Sequence, residues 1–262
     1  LENLNHNMKQ GPVICLTFDL EEFDLPLEYK HPISDAEQIE ITSKGMDALL
    51  PILEKEKISC TFFTTANYAQ QKPEQIKQLA ILHEIASHSF FHSSFDKSDF
   101  ENSKDILQNI CGTEVIGFRM PRMGPVNYTD LQAAGYLYDS SLNPTFIPGR
   151  YNHFTASKTV FKKNDLIIFP ATVTPTLRIP LFWLTFKNCS VNWFCKQVQK
   201  CLDTYGYVNL YFHPWEFADI SGFSIPSYIA RDPKIMLDKL EYFINYFKDK
   251  AEFTSIKNKL SL

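Results

Sequence analysis

The run VICLTF at residues 13–18 is followed without a break by DLEE at 19–22. It is continuously apolar and β-rich, with none of the in-out alternation of a half-wet strand. That pattern reads as a central strand covered on both faces, typical of a parallel sheet in an α/β fold. The strand ends in carboxylates, Asp19, Glu21 and Glu22. Carboxylates at the end of a buried strand need a reason, such as a counter-charge or a metal.

Outward from this strand, helical and strand patterns alternate. Residues 37–57 carry Ile41, Met46, Leu49, Leu50 and Leu53 near a helical period. Thr42 or Ser43 is placed to cap the second part of that helix, and Pro51 is expected to kink it or start a fresh turn. Residues 59–65, with CTFFTT at their centre, are a second strand, 73–82 a helix with proline in its first turn, and 84–87 a third strand leading into His88. A helix over 98–110 ends at Gly112. A strand at 115–118 delivers Arg119, a short helix at 129–134 closes on Gly135, and 136–138 returns to the sheet. Four such alternations indicate βαβ units and a mostly parallel sheet.

Residues 139–190 are less regular, with Pro144, Pro148, Pro170, Pro175 and Pro180 and one clear strand at 166–169. They read as an elaborated loop or hairpin layer beside the active face of a single domain spanning 1–262. Periodicity resumes over 192–205, where Trp193, Val198 and Leu202 form a buried stripe. A strand at 208–212 then ends in His213, Pro214, Trp215 and Glu216. The longest helix, 232–247, has Asp232 as cap and Ile235, Leu237, Leu240, Phe243, Ile244 and Phe247 facing in, before a last strand at 251–255.

Composition narrows the function classes. At 44% hydrophobic, 262 residues can bury one large core. The net charge of -4 and the lack of a basic run argue against nucleic acid as partner. The cysteines, at 15, 60, 111, 189, 195 and 201, form no paired motif, which favours a reducing compartment. LENLNHNMKQ at 1–10 has no apolar signal-peptide core, and no stretch reaches the roughly 18 apolar residues of a membrane span. A cytoplasmic location is therefore expected, with a periplasmic or envelope one requiring a removed leader.

ASHSFFHSSF at 86–95 sets His88 and His92 four residues apart, so one helical turn would bring both imidazoles to one side. Two imidazoles are too few for a tight metal site, and the carboxylates at 19–22 are the candidates for the third ligand. Taken alone, the pair fits a polar helix start with ordinary hydrogen-bonded histidines better than a metal site. GFRMPRMG at 117–124 and YVNLYFHPWEF at 207–217 repeat the arrangement of a charged or ionisable residue after an apolar strand, as chemistry on one rim of a barrel requires. His83, at a predicted helix end, is expected to partner the helix dipole.

From Thr17 to about Trp215 these residues resemble the carbohydrate esterase 4, or NodB-homology, polysaccharide deacetylases. TFDLE at 17–21 is similar to the first motif, which implies Asp19 as catalytic base and Glu21 as metal ligand. HSFFH at 88–92, after the lead-in HEIASH, implies His88 and His92 as the other ligands. RMPRMG at 119–124 resembles the arginine-proline motif, implying Arg119 as the holder of Asp19 and Pro121 beside the substrate; NYTDLQAAGYLYDSS continues it. His213 in LYFHPWE is implied as the catalytic acid, with Trp215 either over the sugar or packed into the rim.

The implied fold is a distorted, seven-stranded (β/α) barrel with its chemistry on the C-terminal rim. The implied activity is metal-dependent removal of N-acetyl groups from a GlcNAc-like residue of a glycan. HPWE and the D-x-E first motif resemble the branch found in exopolysaccharide and cell-envelope clusters. A His, His, carboxylate set suits one divalent ion, zinc first, with cobalt or nickel also fitting. Leu20 departs from the adjacent aspartates of the commonest first motif, which leaves Glu22 as an alternative ligand. The fourth motif has no clean match, and the role of nearby Asp139 is open. A carbohydrate-binding protein without turnover, or a hydrolase of another non-peptide C–N amide bond, are the other readings.

Overall fold

The computed structural model describes residues 11–262, so the reading of 1–10 falls outside the described residues. β1 (Val13–Leu20) is buried along its whole length. It lies inside the sheet, parallel to β10 (Tyr207–Phe212) on one side and to β2 (Thr61–Thr64) on the other. From β2 the parallel order continues through β3 (Glu84–Ser87), β4 (Gly117–Phe118), β5 (Tyr138–Asp139) and β9 (Leu166–Ile168). These seven parallel strands are the expected barrel strands.

β8 (Phe161–Lys163) adds to β9 antiparallel, and β11 (Glu252–Phe253) pairs with the start of β1. The sheet curls without a complete ladder between its ends. After β9 the chain reaches β10 through Thr172, whose N–H donates to the Asn209 carbonyl at 2.9 Å. The result is a distorted barrel whose seam is irregular chain. The irregular region is two hairpin elements, β8–β9 in the main sheet and a separate pair, β6 (Phe146–Ile147) with β7 (Tyr151–Asn152).

The helices are α1 (Leu25–Glu28), α2 (Asp35–Lys55), α3 (Ala66–Gln71), α4 (Pro73–Leu79) and α5 (Asp99–Cys111), then α6 (Tyr128–Ala133), α7 (Trp183–Asn188), α8 (Val191–Tyr205), α9 (Pro233–Phe247) and α10 (Ile256–Leu260). Among the described residues no helix is long and apolar enough to cross a membrane. α2 runs as one helix through Pro51 and is capped by Ser34, whose Oγ accepts the Glu37 N–H. Thr42 is not a cap: its hydroxyl donates to the Glu21 carbonyl at 2.8 Å and ties the end of β1 to α2. Gly45 lets the same helix touch the turn after β10, because a Cβ there would overlap the Pro214 carbonyl.

α8 buries Phe194, Cys195, Val198, Cys201 and Leu202, with Trp193 only half-buried at the edge of the expected stripe. α9 keeps Leu240, Phe243, Ile244 and Phe247 inside, but Ile235, in its first turn, is 52% exposed. Trp193 and Ile235 each stand one position before the buried stripe, at Phe194 and Met236, so the helical period turns both towards solvent.

His83 corrects the dipole expectation. Its Nδ1 accepts the Cys60 N–H at 3.3 Å, and burial pushes its pKa down to about 4, so the ring is neutral. Because the folded value lies below the unfolded one, its contribution is intact above pH 6.5 and is lost as pH falls towards 4. The loss is about 3 kcal/mol. Thermal unfolding of His83→Gln should accordingly show a shallower decline in Tm across that window than the native protein. An identical decline would assign the acid sensitivity elsewhere.

Candidate metal and catalytic site

β1 positions the carboxylates by its two-residue period. Asp19 and Glu21 share the face turned to the barrel rim, whereas Leu20 is fully buried in the core. Glu22 faces the other way, where it accepts from Asn67 Nδ2 at 2.5 Å and from the His92 N–H at 3.3 Å. Glu21 thus faces the two imidazole rings, whereas Glu22 meets the backbone of His92.

His88 and His92 lie on a loop, not on the expected helical turn; the chain leaves β3 directly into it, with Ser89 at φ 69°. The loop is strapped to α3 by the Ala66 and Asn67 N–H groups, which donate to the Ser89 and Phe90 carbonyls. It still delivers both rings together, 5.8 Å apart and near-parallel at 20°. His88 Nε2 lies 3.0 Å and His92 Nε2 3.2 Å from the same atom, Glu21 Oε2.

The opposite ring nitrogens are anchored. His88 Nδ1 donates to the Arg119 carbonyl at 2.8 Å, and His92 Nδ1 sits 2.8 Å from Asp24 Oδ1. A carbonyl only accepts, so the proton of neutral His88 is on Nδ1 and its Nε2 lone pair faces Glu21. Lone pairs converging on one carboxylate oxygen repel unless a cation lies among them. A divalent ion fits this donor set. In the ion-free protein a proton takes that place: burial opposes a charged His92, but Glu21, Asp24 and Glu22 outweigh it and raise its pKa to about 9. Burial likewise opposes the charge of Glu21, yet His92 and His213 hold its carboxyl well below the usual range.

Asp19 is fixed from behind. Arg119 Nη1 donates to its Oδ1 at 2.6 Å, and Arg119 is fully buried. The guanidinium is satisfied by Thr17 Oγ1, Ser140 Oγ and the Ser140 carbonyl, and lies 4.0 Å over the Phe63 ring. Asp19 Oδ2 is left facing His213 Nε2 at 3.9 Å, which is also 3.8 Å from Glu21 Oε1.

His213 is oriented by its own turn. Glu216 Oε1 accepts the His213 N–H at 2.8 Å and lies 3.1 Å from its Nδ1, while Lys187 Nζ, from α7, sits 3.2 Å from Glu216 Oε2. Burial opposes the imidazolium, but Glu21, Glu216 and Asp19 outweigh it and raise the His213 pKa. Trp215 stacks on His213 at 4.7 Å and donates from Nε1 to Glu21 Oε1 at 3.3 Å. Asp19, Glu21, His92, His213 and Trp215 line one narrow cleft with Trp183, Tyr151 and Tyr211.

A family model described as polysaccharide deacetylase matches residues 6–137, just over half of the chain. The chain belongs to the polysaccharide deacetylase family. Membership and the Glu21, His88, His92 cluster make it a metal-dependent hydrolase of the deacetylase type. Three solved structures have the same fold. PuuE allantoinase is 16% identical, covering 97% of this chain and 90% of its own, with TM-score 0.67. A probable polysaccharide deacetylase from Pseudomonas aeruginosa PAO1 is 17% identical, covering 94% and 88%, with TM-score 0.65. The Bc1960 peptidoglycan N-acetylglucosamine deacetylase, in complex with 4-naphthalen-1-yl-N-oxidanyl-benzamide, is 18% identical, covering 95% and 90%, with TM-score 0.52. At these identities the likeness is one of fold. No curated protein matches the sequence.

The remaining residues of this family member divide plainly. Pro121 is buried at the start of a 3-10 turn, Pro121–Met123, and it is Arg122 and Met123 from that turn that line the cleft. Trp215 is buried, 3% exposed, with Phe23 at 5.1 Å on its far side, so it forms the cleft wall. Asp139 stays away from His213: its carboxylate accepts the Ser141 hydroxyl and N–H, and burial raises its pKa to about 6. Asp24 and Lys187 were not singled out by sequence, and Glu216 stood there only in the HPWE turn after the strand. Glu216 had a signal, three residues after His213 in a proline turn, where its carboxylate reaches back as an N-terminal capping box.

Proposed function

We propose that the protein removes N-acetyl groups from a GlcNAc-like residue of a polysaccharide or glycan precursor. The reading is carried by one observation: the Glu21, His88 and His92 donors converge beside Asp19 and His213, whose Oδ2 and Nε2 face each other at 3.9 Å. One divalent ion, zinc by preference and cobalt or nickel as substitutes, held by Glu21, His88 and His92, would polarise the acetyl carbonyl and ease deprotonation of water.

The chain's own groups move the protons. Arg119 occupies Asp19 Oδ1, so Oδ2 takes the proton as water adds to the carbonyl carbon. His213 Nε2 gives its proton to the amide nitrogen as the C–N bond breaks, releasing acetate and a free amine. Glu216, backed by Lys187, holds the imidazole for that transfer and favours its charged form. Trp183, Tyr151 and Tyr211 offer aromatic surface to a sugar in the cleft.

The test is acetate release from a chito-oligosaccharide by the zinc-loaded protein, run beside allantoin. Acetate release without allantoin hydrolysis is expected. Hydrolysis of allantoin with the oligosaccharide untouched would transfer the chemistry to another C–N amide. Binding of the oligosaccharide without release would leave a carbohydrate-binding protein.

A further inference from the structure

Each cation near the reacting groups has an anion beside it, with one exception. Arg119 is paired with Asp19, Lys187 with Glu216, and Arg122 with Asp24 at 2.9 Å and with Glu28. Arg150 lines the same cleft, yet among the described residues no carboxylate oxygen comes within 4.0 Å of its guanidinium.

Its placement is built into the hairpin. Ile147, Pro148, Gly149 and Arg150 make the turn between β6 and β7, closed by the Arg150 N–H on the Ile147 carbonyl at 3.0 Å. Proline followed by a glycine at φ 76° is the sequence of a tight type II turn. Arg150 Nε donates to Tyr151 Oη at 3.2 Å, and the Tyr151 ring is buried, 6% exposed, in the cleft wall. The plane of the guanidinium is thus set from one edge. Its two Nη groups make no bond to the described residues and form a fork of donors.

We infer that Arg150 receives an acidic group of the saccharide, a carboxylate or a phosphate, so that the acetylated sugar is presented within an anionic glycan. This rests on the N-deacetylase reading and adds the charge of its substrate. A planar fork pairs with two oxygens of either group, and Arg150, exposed at the cleft mouth, is open to a ligand arriving from solvent. The surrounding carboxylates do not compete for it, because each is engaged by Arg119, Arg122 or the histidines.

The experiment compares three N-acetylglucosamine oligosaccharides of equal length: neutral, glucuronate-containing and phosphorylated. kcat/KM for acetate release is measured on zinc-loaded protein, with Kd from quenching of the cleft tryptophans as a readout independent of turnover. The native protein should prefer at least one acidic form by about tenfold or more. In Arg150→Gln the acidic-to-neutral ratio should fall to near one, and Arg150→Lys should retain part of it. The preferred acidic form identifies carboxylate or phosphate. Acetate release from the neutral form with no acidic preference, or a preference that survives in Arg150→Gln, overturns the inference alone. No acetate from any of the three overturns the N-deacetylase reading and the inference with it.

Discussion

Asp19→Asn and His213→Ala should each lower turnover of an N-acetylated oligosaccharide by about 10² or more while the protein keeps its metal. Neither group converges on the histidine pair as Glu21 does. Asp19 is held at Oδ1 by Arg119, and His213 is held at Nδ1 by Glu216, so both present their free atom to the cleft. Asparagine keeps the shape and the bond from Arg119 but cannot accept the proton. It also leaves a buried guanidinium without its counter-ion, so Tm should fall as well, and turnover is to be measured well below the new transition. His213→Ala carries less structural cost, because Trp183 and Trp215 still wall the site. Unchanged acetate release in His213→Ala would remove His213 from the mechanism and leave the proton to water or Glu216.

His88→Ala should lose metal and activity together. Its ring supplies Nε2 to the cluster at 3.0 Å from Glu21 and takes no part in proton movement. Removing it leaves His92 and Glu21, too few donors for tight binding of a divalent ion. Glu21→Gln should behave alike, with metal affinity down by about 10-fold or more, whereas Glu22→Gln should hold the ion. The contrast follows from the strand period, which turns Glu22 to Asn67. Metal analysis after dialysis decides it, and retention of metal in Glu21→Gln with loss in Glu22→Gln would exchange the two roles.

Much of this arrangement was legible because it rests on local patterns. A strand buried on both faces has no polar alternation, so VICLTF marked the sheet centre, and residues just after such strands fell on the rim. The histidine spacing gave the pair but not its backbone, since four residues suit one helical turn and also a loop strapped to α3. Supports of the site were less legible because they depend on packing. Lys187 comes from α7, and nothing about its place in sequence points to Glu216. Asp24 meets His92 only through the fold of the loop after β1. Arg150 lies in a stretch without periodicity, where the turn residues mark a bend but not what the bend faces.

We propose that one ion held by Glu21, His88 and His92 makes the cleft an N-deacetylase. Titrating zinc into the metal-stripped native protein while following acetate release from a chito-oligosaccharide tests this most directly. Activity should be absent without the ion, rise in proportion to zinc, and level off at about one equivalent per chain, as a single three-ligand site requires. Full acetate release from the stripped protein, or none at any zinc concentration in protein that binds the oligosaccharide, would contradict the claim.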